Sequence, residues 1–118
     1  MADNNEELMS MDDLDHVAGG NYNEILKDLR AFAAIGLITN DQVPANVDAS
    51  NFSAMNRLAF ETWQKVGVTM QGHEGVTNSY TLPTTATATG AYTNDRSGAL
   101  NYAKYQSGRG DLDISAYL

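Results

Sequence analysis

The sequence predicts a mainly α protein: an N-terminal amphipathic helical hairpin over about residues 23–66, set after a short acidic helix. A low-complexity C-terminal half follows, in which short strands and a short helix are expected. Three observations carry this prediction. Apolar residues recur at steps of three and four over residues 23–38 and again over 50–66. Acidic charge is concentrated before residue 20. After Gly67 the composition shifts to Thr, Ala, Gly, Asn and Tyr.

The first hairpin helix is expected over about residues 23–38. Ile25, Leu29, Phe32, Ala33, Gly36 and Leu37 share one face with Leu26 beside them, leaving Glu24, Lys27, Asp28 and Arg30 around the rest. Residues 31–38 are more continuously apolar than a surface helix needs, which is read as packing against the next helix. Residues 39–48 are polar and contain Pro44, so they form the connection. The second helix should run from about 50 or 51 to 66, burying Phe52, Met55, Ala59, Trp63 and Val66 and exposing Arg57, Glu61 and Lys65. Gly67 ends it.

In the N-terminal twenty residues, Asp3, Glu6, Glu7, Asp12, Asp13 and Asp15 meet no Lys or Arg, whereas residues 21–118 carry nine acids against seven bases. Most of the chain's net charge of −8 therefore lies in its first sixth. Leu14 and Val17, three apart, share a helical face that the flanking acids avoid, and Ser10 can cap the turn with Asp13 three positions on. Gly19-Gly20 is expected to stop this helix. So short a helix is marginal in water unless a partner buries Met9, Leu14 and Val17.

The run Met9-Ser10-Met11-Asp12-Asp13-Leu14-Asp15-His16-Val17-Ala18-Gly19-Gly20 resembles the double-glycine leaders of bacteriocins, peptide pheromones and related secreted products. Met9 stands where that family usually has Leu, and Asp13 where it has Glu. The resemblance covers about residues 9–20. It implies recognition of Met9, Asp13, Leu14 and Val17 by the cysteine-protease domain of an ABC exporter, cleavage after Gly20, and secretion of residues 21–118. Two residues without Cβ atoms can also thread a narrow protease cleft as extended backbone, a reason for Gly19-Gly20 that stands without the family. The same pair is an ordinary turn former between helices.

Beyond Gly67, residues 68–70 and 79–82 read as short strands about a turn at 71–75. Residues 84–91 are small and repetitive, a Thr-faced strand or a spacer, and residues 97–105 suggest a short helix. Tyr92, Tyr102, Tyr105 and Tyr117 lie among Asn, Ser and Gly, a composition suited to contact surfaces. This half is expected to gain its order mainly by assembly or binding.

Composition limits the chemistry. With no cysteine, there is no thiol nucleophile, no disulfide and no thiol to form a lanthionine-type thioether cross-link. His16 would leave with a leader, and His73 beside Glu74, with Asp95 or Asp48 as partners, reads as a solvated glycine-rich turn rather than a catalytic base or metal site. No zinc-ligand, calcium-loop or phosphate-loop spacing occurs, so neither a metal nor a cofactor is expected, and no catalytic residue is assigned. Seven scattered bases against fifteen acids give no positive track for nucleic acid. No apolar run is long enough to span a membrane. Arg109-Gly110-Asp111 matches the adhesion tripeptide of integrin ligands, three residues that carry little alone.

Three function classes follow. The chain is expected to be a precursor of a small secreted bacterial protein, bacteriocin-like or signalling, that acts at a target-cell surface. A non-enzymatic surface, matrix or filament-forming protein that self-associates is the first alternative. An intracellular helical binding module with an acidic tail is the second.

Overall fold

A computed structural model describes residues 11–73 and 76–118, with side-chain surroundings from Tyr22 onward except Val76. The described elements are α1 (Met11–Ile35), α2 (Phe52–Lys65), β1 (Thr69–His73), β2 (Val76–Thr81), α3 (Thr84–Thr87) and α4 (Arg96–Gln106). Single 3-10 turns lie at Asn40–Gln42 and Ser115–Tyr117.

This is a mixed α/β fold, and it corrects the expectation of a mainly α protein built on a helical hairpin. The apolar stripe of α1 is divided between α2 and β2, while α2 rests on β1 and α4 on β2. Phe32 on α1 meets Trp63 on α2 edge-to-face at 4.8 Å between ring centroids, and Trp63 meets Tyr80 on β2 at 5.2 Å. The strand supplies one of the largest side chains in the core, so a two-helix hairpin would leave Trp63 half covered.

Two helix ends follow the same local chemistry. At Gly36 (φ 95°) the Leu37 amide donates to the Phe32 carbonyl at 2.9 Å and the Gly36 amide to that of Ala33 at 3.2 Å. Gly67 (φ 88°) repeats the arrangement, with Val68 bonding Trp63 and Gly67 bonding Gln64, each at 3.0 Å. These are Schellman ends, and only a residue without Cβ takes that left-handed conformation without strain. The first therefore stops α1 at Ile35, three residues short of the expected end.

The other end of α1 departs further from expectation. Its backbone is helical from Met11 straight through Gly19-Gly20, so the expected break between two helices does not occur. Glycine in a helix interior costs only about 0.8–1 kcal/mol relative to alanine. Helical turns on both sides can absorb that.

β1 and β2 form an antiparallel pair with Thr69 opposite Thr81, Met70 opposite Tyr80 and Gln71 opposite Ser79; a register shift between Gln71 and His73 leaves His73 opposite Val76. Met70, Asn78 and Tyr80 point inward, while Thr69, Gln71, Thr77, Ser79 and Thr81 are exposed. The period of two thus places one face of the ribbon on the helices and the other in solvent.

The C-terminal half is not an accessory awaiting assembly. Val68, Met70, Tyr80 and Leu82 from the ribbon, and Ala99, Leu100 and Ala103 from α4, are buried with the helical stripe in one core. Residues 84–87 form a helical turn with Ala86 buried, rather than a strand or spacer. Ile114 is buried too, and the last 3-10 turn packs on α1. Contacts on several sides explain why residues 31–38 are so continuously apolar.

α4 starts where Asp95 caps it, accepting from the Gly98 amide at 2.7 Å. A Cβ built on Gly98 would stand 2.1 Å from the Thr93 carbonyl oxygen and 2.7 Å from its nitrogen. Backbone atoms cannot yield as a side chain does. Gly98→Ala should therefore cost about 1–3 kcal/mol as the 93–98 segment shifts, read as a lower urea midpoint. An unchanged midpoint would show that the approach is not this close.

Candidate functional site

Glu24 and Asp28, one turn apart on α1, were expected on its outer surface. Both are buried instead, at 7% and 0% exposure. Four residues of separation stacks them on one face, and Ala31 and Ile35 continue that row into the core. An unneutralised carboxylate is not buried without partners, and three elements provide them.

From β2, the Tyr80 hydroxyl lies 2.7 Å from Glu24 Oε2 and 2.9 Å from Asp28 Oδ2. From α2, Trp63 Nε1 donates to Asp28 Oδ2 at 3.1 Å. From the start of α4, Arg96 Nε donates to Asp28 Oδ1 at 2.7 Å, with the arginine side chain 17% exposed. The Asn78 amide on β2 donates to Glu24 Oε1 at 3.1 Å. The cluster thereby ties α1 to α2, β2 and α4 at one point.

Its geometry constrains where hydrogens can sit. A phenol has one hydrogen, yet the Tyr80 oxygen is within hydrogen-bond reach of two carboxyl groups. If both were ionised, one contact would set lone pairs against lone pairs. A proton on the Asp28 carboxyl, the group that burial favours in its neutral form, would let the phenol donate to Glu24 while Asp28 donates to the phenol. Electrostatics agrees in direction. Burial pushes the Asp28 carboxyl up from its ordinary 3.8 to about 6, outweighing the Arg96 charge and the bonds from Tyr80, Trp63 and Arg96 that pull it down. Burial, then the neighbouring carboxylates, pushes the Tyr80 phenol far above its ordinary range, so it stays protonated.

Two open clefts flank the cluster. The larger, about 570 Å³, is lined by Asn78, Tyr80, Asn94, Arg96 and Ser97 among others, and the smaller, about 230 Å³, by Asn23, Glu24, Lys27 and Arg96. Thr77, Arg96 and Leu118 line both. Arg96 Nη2 is buried with no hydrogen-bond partner among the described residues, a state that typically costs about 1–3 kcal/mol.

The residues singled out from sequence lie elsewhere. Met9 falls outside the described residues. Asp13, Leu14, Val17, Gly19 and Gly20 have helical backbone in α1, but their side-chain surroundings lie outside the description. His73 Nε2 is 2.8 Å from Ser79 Oγ across the ribbon, and Glu74 lies outside the described residues. Tyr92 meets Tyr102 edge-to-face at 5.3 Å and Tyr105 at a tilt at 6.4 Å between ring centroids, and Tyr105 is 64% exposed. Arg109, Gly110 and Asp111 are exposed. Among the described residues no helix is long and apolar enough to cross a membrane, and no three His, Cys, Asp or Glu side chains are grouped to hold a metal.

The cluster itself was missed because Glu24 and Asp28 were placed, with Lys27 and Arg30, on the polar side of the helix. Two signals pointed to it: their row runs into Ala31 and Ile35, and a buried Trp63 needs an acceptor for its indole N–H. No protein-family model, curated protein or solved structure matches the chain.

Proposed function

We propose that the chain is the precursor of a small secreted bacterial protein, bacteriocin-like or signalling in role, cleaved after Gly20 by the protease domain of an ABC exporter. The observation that carries the reading is the run from Met9 to Gly20 with its acids, apolar spacing and terminal glycine pair. Cleavage after Gly20 would leave α2, the two-stranded ribbon and α4 whole, with α1 starting at Asn21. The continuous helix fits a two-step encounter in which the exporter grips the helical stretch and extends Gly19-Gly20 into its cleft. The glycine pair is the turn of α1 with the least helix propensity, so it opens at least cost. With no cysteine to staple a small exported domain, the buried Asp28 cluster takes the role of joining its elements.

Intact mass and N-terminal sequence of the protein in the culture supernatant of its producer test the reading. A secreted species beginning at Asn21 is expected, and Gly20→Ile should leave uncleaved precursor in the cells. Full-length protein retained in cells under expressing conditions would overturn the proposal and leave the acidic-tailed intracellular module.

A further inference from the structure

Arg109-Gly110-Asp111 carries little as a three-residue match, but the fold gives it a defined presentation. α4 ends in the same Schellman arrangement as α1 and α2. With Gly108 at φ 74°, the Arg109 amide donates to the Lys104 carbonyl at 2.8 Å and the Gly108 amide to that of Tyr105 at 3.1 Å. The Leu112 amide then donates to the Arg109 carbonyl at 3.0 Å, closing a β-turn with Gly110 and Asp111 at its centre. Lys104 Nζ donates to the Leu112 carbonyl at 2.7 Å, and Ile114, two residues further, is buried. The turn is thus fastened to α4 at both ends.

Its side chains serve no purpose in the fold. Arg109, Gly110 and Asp111 are all exposed, and neither charged side chain has a hydrogen bond or ion pair among the described residues. Asp113, by contrast, accepts from the Ser115 amide at 2.9 Å. Nor does the turn demand a glycine at its centre. Gly110 lies outside the left-handed region, and a Cβ built on it would meet only the Tyr105 ring, at an ordinary 3.6 Å.

We propose that residues 109–111 are a docking loop for an adhesion receptor of the integrin kind, which takes the guanidinium in an acidic pocket and the carboxylate on a divalent cation. A guanidinium fork suits the first and a hard carboxylate oxygen the second. Gly110 lets the receptor close over the turn between the two charges. A turn already fixed by the fold also loses less conformational freedom on docking than a linear tripeptide. The inference rests on export only for the encounter with a receptor outside the cell; binding by the purified protein is independent of any cleavage at Gly20.

The test is solution binding of the full-length protein to immobilised vitronectin-receptor integrin in the presence of manganese. Saturable binding is expected, abolished by EDTA and displaced by the peptide Gly-Arg-Gly-Asp-Ser but not by Gly-Arg-Gly-Glu-Ser. Asp111→Glu keeps the charge on an arm one methylene longer and should weaken binding about 10–100-fold, the worth of a hydrogen bond to a charged group. Gly110→Ala should weaken it as well, and both variants should keep the parent's urea midpoint, which separates a lost contact from a lost fold. Absence of saturable binding by the parent, binding that survives EDTA, or unchanged affinity in both variants would overturn the proposal.

Discussion

Asp28→Ala should destabilise the protein by about 3–5 kcal/mol, the range for removing one partner of a buried ion pair. Three groups lose their acceptor at once: Arg96 Nε, Trp63 Nε1 and one line from the Tyr80 hydroxyl. Because Asp28 is wholly buried and Arg96 only 17% exposed, water cannot readily replace the carboxylate. The cost measures the orphaned partners rather than the net worth of the pair, since a carboxyl whose burial outweighs its attractions contributes little by being charged. Asp28→Asn separates shape from chemistry. It preserves volume and one acceptor oxygen for Arg96, but sets an amide N–H where Oδ2 received two donors, for about 1–3 kcal/mol. Urea unfolding of the three proteins checks the ranking. An alanine variant within about 0.5 kcal/mol of the parent would mean that the cluster is open to solvent.

How much of this was legible in the sequence varies by element and for identifiable reasons. α2 was legible because Ala59, Trp63 and Val66 follow one helical period and Gly67 supplies the stop. α4 was visible within a residue at either end, although its apolar stripe is narrow. The ribbon was found but not its importance, since Thr69–His73 and Val76–Thr81 carry few large apolar residues and only Tyr80 betrays a deep contact. Small residues misled as well. Ala99 and Ala103 are fully buried because α4 sits close on the ribbon, and closeness between elements leaves no trace in a single chain. At Gly19-Gly20 a local stop signal was overruled by helix on both sides. The carboxyl cluster depends on Tyr80 and Arg96, more than fifty residues beyond Glu24. Pairings at that separation are a property of the fold, not of any sequence window.

The raised Asp28 carboxyl makes an unusual demand on pH dependence. Asp28 has a folded pKa of about 6 against an ordinary 3.8, so between those values the native state binds more protons than the unfolded chain. Stability must then fall as pH rises through this window. The contribution is fully present below about pH 4 and lost above about pH 6, and the difference is worth about 3 kcal/mol at 1.36 kcal/mol per unit. Acidification from pH 7 to pH 4 should therefore stabilise the protein. The fall in net negative charge from −8 toward the isoelectric point near 4.4 acts in the same direction. Below that window the sign reverses. Asp48 and Asp113, exposed residues held below their usual range by bonds from Ser50 and Ser115, lose what they contribute as pH falls through their folded values. Urea midpoints in half-unit steps from pH 3 to pH 7.5 should thus rise on acidification, peak near pH 4 and then decline. Asp28→Asn should remove most of the rise while keeping the decline, which separates the cluster from general charge relief. A parent protein whose midpoint drops steadily from pH 7 to pH 4 would contradict an Asp28 carboxyl raised by its burial.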